Sequence, residues 1–201
     1  MLEFITQIDT NLFLLINQAD NSILDTVMYY SSSKLFWIPL YVLLLVLIGI
    51  KYKWKAIITV VFVLLAIAIA DLCSVHLFKN VFQRLRPCYE SELIPVINNI
   101  VGCGGKYGFV SSHAANSFVI VMMIIKLIGD RHKWLYWLMP LWGLLILYSR
   151  VYLGKHYPGD VIAGAVLGIF IGWLIWLIFE ATSKYLSNKF NNNSTSLFHS
   201  Q

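Results

Sequence analysis

Charge is what this chain has least of. Asp, Glu, Lys and Arg make up only 12% of its 201 residues, where roughly 25% is usual in a soluble domain. A water-soluble fold of this length must cover its surface with polar groups. Too few are present, so an ordinary globular domain is excluded. Disorder is excluded as well, because aromatics alone supply 15% of the chain and so apolar a segment buries enough surface to fold. Three cysteines are too few for a disulfide scaffold. Met1, Leu2 and Glu3 bring no basic stretch ahead of an apolar core, so no cleavable signal peptide is expected. The aromatic-basic interleaving of a nucleic-acid groove is also missing, so the net charge of +5 is not read as a nucleic-acid footprint. What fills the chain is apolar: 59% of it. That balance points to an all-α integral membrane protein.

Apolar runs divide it into about five spans, at 35–50, 56 to about 78, about 111–128, 134–152 and 161–179. Most approach the ~20 residues a helix needs to cross a bilayer. The first is short, and Lys34 can snorkel to extend it. In residues 4–20 the apolar positions Phe4, Ile5, Ile8, Leu12, Leu15 and Ile16 recur at helical spacing. Asp9, Asn11, Asn17 and Gln18 interrupt them, so this segment is expected to lie on the membrane surface as an amphipathic helix. Three regions follow: a surface segment 1–33, a membrane-embedded domain 34–180, and a polar tail 181–201, whose stretch 187–201 is expected to be mobile. The glycosylation-like triplet at 192–194 is read as chance. Basic turns at 51–55 and near 126–133, with Lys184 and Lys189, fall on one side, which the excess of Lys and Arg marks as cytoplasmic. The polar loop 79–110 and the connection 153–160 then face outward. Trp37, Trp54, Trp134 and Tyr136 near span ends read as interface anchors.

Ionisable residues at membrane depth are costly and by default suggest function. Here they gather at the outward ends of the spans. Lys79 and Arg86 are seven residues apart, two helical turns, so both can face one side of a helix that ends before Pro87. Arg84 falls on another face. Ser111, Ser112 and His113 precede an apolar run. Ser111 there suits a helix N-cap, and the free N–H groups of a capped helix start suit phosphate. Arg150 ends a span, Gly154 suits a helix stop, and Pro158 suits the first turn of the next helix. His156 and Asp160 are four apart. A carboxylate that holds the proton on one ring nitrogen leaves the other free as a nucleophile. Each group alone also fits a bland role: snorkelling cations, plain capping, a charge-paired turn. The three together, in order and on one side, do not. Within the second span, Asp71 and His76 are read as interhelical hydrogen bonding. Cys73 is a packing residue. Cys88 and Cys103 share the outer loop, where a bridge would close about 15 residues.

Taken jointly, these motifs resemble the type-2 phosphatidic acid phosphatase superfamily. Lys79, Arg86 and Pro87 match its Lys-x6-Arg-Pro motif. Ser149, Arg150, His156 and Asp160 match Ser-Arg-x5-His-x3-Asp. The middle motif, Pro-Ser-Gly-His, reads Val110-Ser111-Ser112-His113 here, with Pro and Gly replaced. The resemblance covers about residues 56–179 and is nearest in wording to short bacterial lipid A and polyprenyl-diphosphate phosphatases. It implies a phosphohistidine route with no metal or cofactor. His156 attacks phosphorus, Asp160 orients it, and His113 protonates the leaving oxygen and then activates water. Lys79, Arg86, Arg150, Ser111 and Ser112 hold the phosphate. The implied partner is a lipid phosphate in the bilayer, with lipid A phosphate or undecaprenyl diphosphate ahead of phosphatidylglycerol phosphate or phosphatidic acid. The implied location is a bacterial inner membrane, with the active site on the periplasmic side. Competing readings are a metal-dependent hydrolase using the two histidines and Asp160, a phosphate-binding module without turnover, and a phospholipid transporter or flippase with an outward cationic vestibule. A transporter usually carries broken helices and inverted repeats at mid-membrane, and the sequence shows neither.

Overall fold

At bilayer depth the backbone finds no water to bond, so long apolar runs satisfy their N–H and C=O groups internally as helices. The computed structural model describes residues 2–19 and 21–198, with side chains for 3–19 and 21–188. The described elements are helical, apart from one isolated antiparallel bridge between Leu85 and Tyr107. Eight α-helices follow in order: α1 Leu2–Asn17, α2 Ser22–Ser32, α3 Ile38–Tyr52, α4 Ala56–Cys73, the single turn α5 Asn80–Phe82, α6 Ser112–Ile128, α7 Leu135–Tyr152 and α8 Pro158–Phe198. The helical stretches Leu35–Phe82 and Pro158–Asn188 are long and apolar enough to cross a membrane, and Ser112–Ile128 is a shorter apolar helix. All five expected runs are helical.

Boundaries follow local chemistry. Lys53 adopts φ +51° and breaks α3 from α4 in the basic turn. Gly154, at φ +72°, takes the left-handed conformation that stops α7. Pro158 opens α8, where its missing N–H costs nothing. The stretch 187–201, expected to be mobile, carries α8 onward as helix to Phe198; the side chains at 192–194 lie outside the described residues.

The densest packing joins α6 to α8. Gly164, Gly168 and Gly172 recur every fourth residue along α8. A Cβ on Gly164 would stand 2.5 Å from the Ser111 carbonyl oxygen, and one on Gly168 would run into that of Ala115. Small residues at this spacing let two helix backbones approach closely. Around that pair Ala115, Val119, Met123, Leu127, Met139, Ile171 and Ile175 form one buried core. At the far end Lys51 of α3 donates to the Leu127 carbonyl (2.7 Å) and pairs with Asp130 (2.5 Å), a cation at a helix C-terminus.

The N-terminal segment is helical, and most of its apolar positions point away from the bundle. Phe4, Ile5, Ile8, Leu12 and Leu15 of α1 are exposed, while Phe13 and Asn17 are fully buried. Asn17 donates to the carbonyls of Tyr152 (2.7 Å) and Asn98 (2.9 Å). Asn17 and Phe13 therefore dock α1 onto the bundle, while Asn11, another of the interrupting polar residues, stays exposed and bonds only to Gln7 of the same helix. A second helix, α2, follows, capped by Asn21, whose side chain accepts from the Ile23 and Leu24 N–H groups.

Candidate active site

The C-terminal ends of α4 and α7, the start of α6 and the turn into α8 surround one cavity of about 770 Å³. Lys79, Arg86, Ser112, His113, Arg150 and His156 all line it. Residues separated by up to 77 positions thus meet at one place. Below them the wall turns apolar, with Leu44, Ile48, Val63, Ile67, Ile120, Ile124 and Trp142 contributing.

Arg86 reaches the site by a route the sequence did not suggest. The expected helix to residue 86 ends at Phe82, because Gln83 turns left-handed at φ +49°. Residues 84–86 then run extended, with the Gly108 N–H bonding to the Arg84 carbonyl at 2.8 Å. Lys79 lies in a π-turn, Ser74–Lys79, that extends α4. The two cations therefore converge by chain reversal, not by sharing a helix face. The Arg86 guanidinium donates to the carbonyls of Cys103 (3.2 Å) and Tyr107 (3.3 Å), which fixes it across the loop. Cys88 and Cys103 are joined, with Cα atoms 5.8 Å apart, so the loop that carries the Arg86 partners is closed covalently.

His156 is 1% exposed and sits in the turn between α7 and α8. Its Nδ1 faces Asp160 Oδ2 at 3.5 Å, which leaves Nε2 as the ring nitrogen free for chemistry. Burial, and then Arg86, Arg150 and Lys79, hold its pKa well below the usual histidine value, so the imidazole is neutral at neutral pH. Asp160 is fully buried behind it, its carboxylate accepting from the Tyr157 N–H (3.1 Å) and from Arg84 (2.8 Å). Gly108 permits this packing: a Cβ there would lie 2.9 Å from Asp160 Oδ2.

The two serines separate in role. Ser112 faces the cavity, and its hydroxyl bonds with Lys79 Nζ and with Ser74 Oγ. Ser111, expected among the phosphate ligands, is fully buried as the α6 N-cap and does not line the cavity. Its N–H is spent on the Asp160 carbonyl at 3.0 Å, which ties α6 to α8. Arg150, 7% exposed, donates to Ser32 at the end of α2, while its Nε has no protein partner. Asn116 of α6 donates to Asp71 at 3.2 Å, the interhelical bond expected of that aspartate.

Sequence patterns did not assign Lys34, Lys155, Ser32, Ser74 or Asp9 to the site. Lys34 and Lys155 also line the cavity, and Lys155 donates to the Val101 and Gly102 carbonyls. Asp9 pairs with Arg84 at 2.7 Å. An acidic residue inside an otherwise apolar helix was the available signal for it.

Cationic side chains around two imidazoles, set over an apolar cavity in a helical bundle, have the chemistry of a phosphoryl-transfer site. The chain belongs to the PAP2 superfamily, whose description matches residues 59–184. It is 38% identical over 181 residues to a lipid A 4'-phosphatase of Bacteroides thetaiotaomicron, covering 89% of this chain and 80% of that one. An undecaprenyl-diphosphatase of Sulfolobus acidocaldarius is 30% identical, over 83% of this chain and 76% of its own. Among solved structures, the transmembrane PAP2-type phosphatidylglycerolphosphate phosphatase of Bacillus subtilis shares the fold. It aligns with a TM-score of 0.66 at 22% identity, over 88% of this chain and 87% of that one.

Proposed function

We propose that this protein removes phosphate from an envelope lipid, with lipid A phosphate first and undecaprenyl diphosphate second, through a phosphohistidine. One observation carries the reading: the cations, His113 and His156 line the same cavity as a wall of apolar side chains. A phosphate held among Lys79, Arg86 and Arg150 leaves the rest of a lipid in apolar surroundings. Similarity to the Bacteroides lipid A 4'-phosphatase over most of both chains favours that substrate.

In this reading His156 Nε2 attacks phosphorus as the P–O bond to the lipid breaks. His113 gives its proton to the departing oxygen. Water then attacks the phosphoimidazole, His113 takes a proton from it, the N–P bond breaks and phosphate leaves. Lys79, Arg86, Arg150 and the Ser112 hydroxyl hold the non-bridging oxygens, where positioning and charge supply most of the rate. The positive charge facing phosphate comes from Lys and Arg, so the route needs no metal. In this reading α3, α4, α6, α7 and α8 are five spans with α1 and α2 at the interface, and the cup lies at the outer headgroup level of a bacterial inner membrane. The basic turns then lie in the cytoplasm.

The test is a panel of lipid A, undecaprenyl diphosphate, phosphatidylglycerol phosphate and phosphatidic acid offered to purified protein, with released phosphate measured in chelator. Lipid A is expected to turn over fastest and His156→Ala to be inactive. Normal turnover by His156→Ala would remove the mechanism, and a preference for phosphatidic acid would remove the substrate assignment.

A further inference from the structure

Arg84 stands between two carboxylates. One terminal nitrogen, Nη2, meets Asp9 Oδ2 at 2.7 Å, and the other, Nη1, meets Asp160 Oδ1 at 2.8 Å. The guanidinium lies on the Tyr157 ring, 4.0 Å from its centroid, which fixes its plane. Asp9 uses its second oxygen as well: Oδ1 accepts from the Gly159 N–H at 2.7 Å. Gly159 directly precedes Asp160 in the first turn of α8. A Cβ on Gly159 would come within 2.9 Å of Asp9 Oδ2, so the residue type there lets α1 approach this closely. Asp9 thus holds both the partner of Asp160 and the helix start that carries Asp160.

We propose that Asp9 is a positioning residue of the catalytic centre, which shares Arg84 with Asp160 and so sets how much negative charge Asp160 presents to His156. A guanidinium paired with Asp160 alone would cancel that carboxylate. Shared with Asp9, it leaves the three-residue cluster with one net negative charge. That charge faces His156 Nδ1, where positive charge grows as Nε2 bonds to phosphorus. The other charged or titratable groups around His156 do not supply it. They are Lys79 of the α4 extension with Asp71 behind it, Arg86 in the loop, Lys34 before α3, His113 of α6, Arg150 of α7, Lys155 in the turn and Tyr157 before α8. Most are cations, so the ring depends on Asp160, and Asp160 depends on how Arg84 is divided.

The inference rests on the phosphohistidine reading, and the sign of charge separates it from mere scaffolding. Asp9→Asn keeps an oxygen for the Gly159 N–H but removes a negative charge. Arg84→Gln removes a positive one. Profiles of kcat and kcat/KM against pH are to be measured on the purified full chain with a lipid phosphate. The substrate's own ionisation is common to every variant. Asp9→Asn is expected to lower kcat on the order of tenfold with KM little changed, a typical loss for a partner behind a reacting side chain. It should move the acid limb of kcat/KM to lower pH. Arg84→Gln should move that limb to higher pH, and the double variant should return it towards the parent. Shifts in the same direction, no shift, or a loss confined to melting temperature would overturn the role of Asp9. Turnover in His156→Ala would instead overturn the mechanism beneath it.

Discussion

A neutral imidazole in a nest of cations is the chemical core of the site, and its consequence can be read in pH. Burial and the surrounding Arg86, Arg150 and Lys79 depress the His156 pKa. In the unfolded chain the same ring takes up a proton near pH 6.5, about the ordinary histidine value. Between its depressed pKa and about 6.5 the unfolded state therefore binds more protons than the folded one. The contribution of this group to stability is level above about pH 6.5 and declines as pH falls below it. Thermal unfolding in detergent without substrate should show that decline, and His156→Gln should flatten it. Lys79 supplies a separate expectation. Its ammonium meets the Ser112 hydroxyl at the cavity wall, where a phosphate oxygen is proposed to sit. Lys79→Ala should cost roughly a hundredfold in kcat/KM, the scale of losing one preorganised donor, as measured by phosphate release. Lys79, Arg86, His113, Arg150, His156 and Asp160 were legible in the sequence because ionisable groups stand out in an apolar chain. Asp9 and Ser32 were not, because what matters in them is a partner 75 or 118 residues away. No local spacing encodes such a pair.

Those side chains stay in register only because α6 and α8 lie almost backbone to backbone. Helix α6 carries Ser112 and His113, the turn into α8 carries His156 and the first turn of α8 carries Asp160, with the Ser111 N–H to Asp160 carbonyl bond between the two helices. Gly168 is the tightest point of that contact, facing the Ala115 carbonyl. Gly168→Val should destabilise the protein by about 1–3 kcal/mol, as overpacking does, and should lower kcat by parting the two histidines. Gly172, whose added Cβ would meet the flexible Met122 side chain at 3.1 Å, should tolerate Ala far better. Gly49, with nothing within 4 Å of a Cβ, should accept Ala without loss; melting temperature and turnover of the three variants check the order. The loop between α5 and α6 depends on a different constraint. Replacing Cys88 and Cys103 with Ser opens a loop of separation 15, which is worth about 3 kcal/mol in chain entropy. It also loosens the carbonyls that hold Arg86, so KM should rise more than kcat falls. Apolar runs made all five long helices legible, and Gly154 and Pro158 marked the turn that carries His156. The path of residues 83–86 was hidden, because a left-handed Gln83 leaves no compositional mark. The inward face of α1 was hidden too, because in lipid the apolar side of a helix can point outward.

Catalysis at a membrane surface also requires that the lipid body have somewhere to go while its phosphate is held. The 770 Å³ cavity supplies this by running from the cations past Ile120 and Ile124 of α6, Leu44 and Ile48 of α3, and Val63 and Ile67 of α4. In the proposed reading its polar end holds the phosphate next to His156, and its apolar end is where most of the affinity for a lipid should come from. Each buried methylene contributes about 0.8 kcal/mol, on the order of fourfold in binding, so shortening the acyl chain of a substrate should weaken kcat/KM stepwise. A bulky side chain in the apolar half should do the same to long lipids while sparing the chemistry. Ile120→Trp is the sharpest form of the test: Ile120 lines the cavity two turns below Ser112 on α6. The variant should raise KM for long-chain lipid phosphate at least tenfold, consistent with losing about 1.4 kcal/mol or more of apolar contact. Hydrolysis of a short, water-soluble phosphate ester should continue at the parent rate, because Lys79, His113 and His156 are untouched. Equal losses on both substrates would mean that the apolar half shapes the catalytic cup itself and does not receive the lipid.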